Sequence, residues 1–69
     1  MSGQITLQVN GEERAVGPGT LLDLLAELET RPELVAIEHN GSIIPRARFG
    51  ETALADGDRI EIVQFVQGG

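Results

Sequence analysis

Apolar and polar residues alternate from the start of the chain. In "QITLQV", Ile5, Leu7 and Val9 fall on one side and Gln4, Thr6 and Gln8 on the other. A period of two is that of a half-buried strand. Asn10-Gly11 follows, a pair suited to the positive φ angles of a tight hairpin turn. The returning segment, Glu12 to Val16, fits less well. A two-residue loop puts Glu12 and Arg14 on the same side as Leu7, and a longer loop with a bulge puts them on the other. The pattern leaves both open.

The period then changes. Gly17-Pro18-Gly19 reads as a turn, and Thr20 is a good helix N-cap, with Asp23 three residues on to complement the positive end. Leu21, Leu24, Leu25 and Leu28 recur at helical spacing and form one stripe, while Asp23, Glu27 and Glu29 face water. A leucine stripe can meet a partner, but a chain this short needs it for its own core. Alternation returns at Val35 and Ile37, a second Asn-Gly pair stands at 40 and 41, and Ile43-Ile44 begins a short return. Pro45 cannot donate to a ladder, so that strand is an edge or stops there. "ADGD" (Ala55 to Asp58) is a turn, and the last strand runs from Arg59 to Val66. This order predicts an α+β domain, a mixed four- to five-stranded sheet with one helix across one face. It occupies residues 1–66, with a flexible tail at 67–69.

Composition narrows the function. The 69 residues include no cysteine, so there is no disulfide, thiolate metal site or thiol nucleophile. The net charge is −6 and lysine is absent. Nucleic acids and anionic membranes, both read through cationic side chains, are poor partners for such a chain. No long apolar run or signal peptide is visible, and the expectation is a cytoplasmic protein. Catalysis finds little support. His39 is the only histidine, beside a turn where exposure is ordinary, with Ser42 near in sequence but no acid evidently placed to orient it. Asp56 and Asp58 are explained by turn formation, and "GPG" lacks the lysine and length of a phosphate loop. The chain reads as a non-enzyme with no bound cofactor and no metal.

The end of the sequence raises a chemical question. "IVQFVQGG" runs from an apolar strand into Gly68 and Gly69. Frayed chain ends are common. A terminal carboxylate, however, is a reactive handle once another enzyme activates it, for example as an acyl-adenylate from ATP. Two residues without side chains can thread a narrow channel.

The element order and the terminal glycines resemble the ubiquitin-like β-grasp superfamily. Within it, "NGSIIPR" followed by Phe49, then "LADGDRIEIV", then "GG", closely resembles the ThiS family, the sulfur carriers of thiamine thiazole synthesis. "ITLQVNGEER" and "LLDLLAEL" also fit, so nearly the whole chain is covered. The resemblance implies a carrier. A ThiF-like, ubiquitin-activating-like enzyme adenylates Gly69 with ATP. Sulfur drawn from cysteine by a desulfurase then makes a thiocarboxylate, and a ThiG-like thiazole synthase takes the sulfur. Val66, Gln67 and Gly68 would thread the partner's active site. Gln67 departs from the pattern, since relatives often have a third glycine there. The small subunit of molybdopterin synthase shares the double glycine but is usually longer, with prolines before the tail. Carriage for another pathway, a protein-conjugating modifier and a non-reactive ubiquitin-like interaction domain are the alternatives.

Phe65 is one of two aromatics. If Ile60 and Ile62 face the helix, alternation sends Val63 and Phe65 to the other side, leaving Gln64 inward or at the rim. An exposed Val63–Phe65 patch would suit partner docking. A bulge near the strand end would instead turn Phe65 under the helix.

Overall fold

Two Asn-Gly turns set the frame on which the rest is hung. In a computed structural model describing residues 3–65, Asn10 and Gly11 have φ of 52° and 84°, and Asn40 and Gly41 have 52° and 90°. Positive φ at both central residues is the hairpin geometry that matches the twist of the flanking strands. The first turn joins β1 (Ile5–Val9) to β2 (Glu12–Val16). The second joins β3 (Val35–His39) to β4 (Ser42–Ile44). The first loop is therefore two residues long, and Val9 pairs with Glu12, Leu7 with Arg14 and Ile5 with Val16. Of the two registers open to the sequence, this is the one that puts Glu12 and Arg14 on the core side. They escape burial because β2 is an edge strand and the helix stops short of them. Both border an open groove with Val9, Leu28 and Gln64.

The helix α1 (Leu21–Glu27) starts as its sequence predicts. The Thr20 N–H donates to the Asp23 carboxylate at 2.8 Å, and the Asp23 N–H returns to the Thr20 hydroxyl at 3.5 Å. This reciprocal cap satisfies two of the orphan donors at a helix start. Leu21, Leu24 and Leu25 are buried and Leu28 is half-buried at the rim. Helix and sheet enclose one core, which also takes in Leu7, Val16, Val35, Ile37 and Ile60.

The five strands lie in the order β2-β1-β5-β3-β4, with β5 (Arg59–Gln64) in the centre. It runs parallel to β1 and antiparallel to β3. The β4 edge ends at Ile44, and Pro45 turns the chain into a 3₁₀ helix over Arg46–Glu51. That segment inserts Phe49 into the core at 1% exposure. The following stretch is laced to the start of α1, where the Leu21 N–H donates to Thr52 O (3.0 Å) and the Leu54 N–H to Gly19 O (2.8 Å). No helix among the described residues is long and apolar enough to cross a membrane. The tail at 67–69, and the domain boundary placed at Val66, lie outside the described residues.

Candidate functional site

The central strand β5 is the last element among the described residues, and its two sides are anchored in different ways. On one side β5 pairs with β3 without interruption, from His39↔Ile60 to Val35↔Gln64. One further tie follows, from the Phe65 N–H to Leu34 O at 2.8 Å. On the other side the parallel pairing with β1 covers only Arg59 and Ile60, because β1 turns away at Asn10. There the Asn10 side chain takes over. Its Oδ1 accepts from the Ile62 N–H at 2.7 Å and its Nδ2 donates to Ile62 O at 3.2 Å, as a neighbouring peptide group would.

Asn40 plays a related part at the start of β5. Its Oδ1 accepts from the Arg59 N–H at 2.8 Å and its Nδ2 donates to Asp58 Oδ1 at 3.0 Å. Both asparagines were legible only as turn formers. The available signal was the residue type: a carboxamide donates and accepts at once, and an aspartate in the same turn does not.

Val63 and Phe65 lie on the sheet face away from the helix, 61% and 53% exposed. The unbroken register through Gln64 rules out the bulge that would turn Phe65 inward. Gln64 is exposed at the rim, beside the open end of the groove under Leu28. The remaining predicted site residues, Val66, Gln67, Gly68 and Gly69, lie outside the described residues.

His39 corrects an expectation. It is half-buried rather than exposed, and an acid does face it: Nε2 lies 2.7 Å from Asp58 Oδ2, with side-chain exposures of 20% and 11%. Asp58 also accepts from the Ala55 N–H at 2.9 Å. Burial alone pushes its carboxyl upward, but hydrogen bonds from Asn40, His39 and Ala55 outweigh that and hold it below its ordinary value of 3.8. Ser42 pairs across the strands from His39, yet no hydrogen bond joins their side chains among the described residues. The arrangement is a clamp that fixes the turn before β5 to the end of β3.

This clamp has a pH signature. The carboxyl of Asp58 titrates lower in the folded than in the unfolded chain, so around that range the unfolded state binds more protons. Its stabilisation is fully present above about pH 4 and is lost as pH falls through the depressed native value. Asp58→Asn is expected to cost about 1–3 kcal/mol at neutral pH. It should also shrink the fall in thermal midpoint between about pH 5 and pH 2. Parallel midpoint curves for the two proteins over that interval would remove the clamp from the account.

Comparison with known proteins bears on this geometry. A sequence profile described as the ThiS family matches residues 7–69, including Gly68-Gly69. The sulfur carrier protein ThiS of Bacillus subtilis is 43% identical over 65 residues, covering 91% of this chain and 98% of that protein. A thiazole synthase of Paramagnetospirillum magneticum is 41% identical over 64 residues. The chain spans only 20% of that enzyme's length, and the same share of a second thiazole synthase from Magnetococcus marinus. The crystal structure of a thiamine biosynthesis protein (ThiS) from Geobacter metallireducens superposes with a TM-score of 0.80 at 33% identity, over 94% of this chain and all of that one.

Proposed function

This chain belongs to the ThiS family, the sulfur carriers of thiamine biosynthesis with a β-grasp fold, and from that premise we propose that it carries sulfur as a thiocarboxylate on Gly69. A carboxylate oxygen of Gly69 attacks the α-phosphorus of ATP on a ThiF-like adenylating enzyme, and pyrophosphate leaves. The outer sulfur of a persulfide, formed on a desulfurase from cysteine, then attacks the carbonyl carbon, and AMP departs with the original oxygen. A thiol reductant cleaves the resulting acyl disulfide, which releases the thiocarboxylate and leaves the thiol oxidised to a disulfide. The carrier supplies the reacting carboxylate and its placement, and the partners supply catalysis and ATP.

The observation that carries this reading is the path of β5. In sequence, Gly69 follows five residues after Gln64, the end of a central strand anchored on one side by β3 and on the other by Asn10. Beyond Phe65 the four remaining residues reach at most about 14 Å when extended. A partner that docks on the domain thus receives the carboxylate at a bounded distance. The acceptor of the sulfur in this reading is a ThiG-like thiazole synthase, supported by the two thiazole synthases that contain a segment similar to this chain. The reactions belong in the cytoplasm, in keeping with the cysteine-free sequence.

The test is an intact mass after incubation with the adenylating enzyme, ATP, a cysteine desulfurase, cysteine and a thiol reductant. The expected change is one oxygen replaced by one sulfur, localised to Gly69 by fragmentation. An unchanged mass, with the enzyme active on its own carrier, overturns the reading. A conjugate to a protein amine would mark a modifier instead.

Val63 and Phe65 form the docking patch in this proposal. Val63→Asp and Phe65→Asp are each expected to raise the KM for the carrier in the adenylation step by about tenfold or more. Stability should change by no more than about 0.5 kcal/mol, as for other exposed positions. A collapsed thermal midpoint in Phe65→Asp would assign that residue to the core and defeat the claim.

A further inference from the structure

The sheet face beside Val63 carries an unusual pairing. Glu38 of β3 stands directly opposite Glu61 of β5, and Ile43 of β4 stands directly opposite Glu38 on the other side. One row further on, Ala36 faces Val63. All of these project from the face that the helix does not cover, and they border one shallow concavity. Ile43 is the most exposed large apolar residue described, at 72%, and Val63 is 61% exposed.

Like charges directly opposite on neighbouring strands destabilise a sheet. No close ion pair among the described residues joins either carboxylate to a cation, and the one cationic side chain bordering the same concavity, Arg59, makes none. With Ile43 and Val63 at its flanks, two carboxylates between them and a single arginine, Arg59, at its border, the patch stays net anionic and is complementary to one kind of side chain. An arginine has a planar cationic fork that can meet two carboxylates, and a stem that packs on apolar neighbours. Lysine matches the charge but not the fork.

We propose that this face receives an arginine of the adenylating enzyme, its guanidinium between Glu38 and Glu61 and its stem between Ile43 and Val63. This rests on the reading of the chain as an adenylated carrier, and it extends the Val63–Phe65 patch across β3 to β4. The face is continuous with that patch, and the net charge of −6 favours a cationic partner surface. The carrier's own stability is lowered by the repulsion, which the partner's cation relieves only in the complex.

The experiment measures ATP–pyrophosphate exchange by the adenylating enzyme as a function of carrier concentration. It compares the wild type with Glu38→Gln, Glu61→Gln, the double variant and Glu61→Lys. The double variant should show a KM about tenfold higher or more, with the rate recovered at saturating carrier and a weaker dependence of KM on salt. Glu61→Lys should be worse still. The thermal midpoint of the double variant should hold or rise, because the repulsion is gone. An unchanged KM in the double variant overturns the proposal, and so does a fallen midpoint, which removes the repulsion on which it rests. A defect confined to sulfur transfer to a thiazole synthase, with adenylation intact, overturns the assignment to the adenylating enzyme. If the wild type is not adenylated by an enzyme active on its own carrier, the carrier reading itself fails. If the wild type reacts and all four variants match it, only this inference does.

Discussion

Gly68→Val is expected to cut thiocarboxylate formation by at least about 100-fold while leaving the thermal midpoint of the domain where it is. Misplacing a reacting group by about 1 Å costs on the order of that factor. Valine is branched at Cβ, which thickens the segment that must enter the active site and removes the positive φ angles open to glycine. The substitution lies beyond Phe65, whose N–H makes the last described backbone tie to the sheet, so the core should not register it. Two length variants separate bulk from reach. One alanine appended after Gly69 moves the carboxylate by about 3.5 Å, and deletion of Gly69 retracts it by the same amount. Both should fold normally and both should fail in the mass assay. Normal thiocarboxylation of all three variants would reduce the two glycines to a chain end without function.

Phe49→Ala is expected to have the largest effect on folding. Phe49 is the largest of the fully buried side chains, at 1% exposure. Truncating a buried phenylalanine costs about 3–5 kcal/mol, through lost transfer energy and the cavity left behind. At about 0.05–0.15 kcal/mol per residue, a domain of this size has only about 3–10 kcal/mol in total. The loss therefore consumes a large share of the stability. The midpoint should drop by at least about 12 °C, given about 4–8 °C per kcal/mol for domains of this length. Circular dichroism melts of Phe49→Ala and Phe65→Asp make the contrast direct. The two aromatics should differ sharply, the first through folding and the second through partner binding. A drop of only a few degrees for Phe49→Ala would mean that the 3₁₀ segment collapses to fill the space and contributes less than its burial implies.

What the residues determined unaided was local. Both asparagine-glycine pairs carry their own positive-φ geometry, Thr20 and Asp23 cap each other across three residues, and the leucine stripe needs only helical spacing to define a face. Strand alternation likewise offered Ile60 inward and Val63 outward, while Phe65 stayed open between the exposed face and a bulge until the pairing through Gln64 decided it. Contacts between distant segments were not legible. Asn10 holds Ile62 from 52 residues away, and Asp58 reaches His39 from 19 away. Neither pairing follows from periodicity, because each depends on β5 lying between β1 and β3. The same holds for Phe49, which sits outside any periodic segment and is buried only because Pro45 turns the chain under the helix. The opposition of Glu38 and Glu61 is likewise a matter of register between strands. Periodicity reports which side of its own element a residue occupies, and sheet order and register, set by the packing of the whole core, decide what stands across from it.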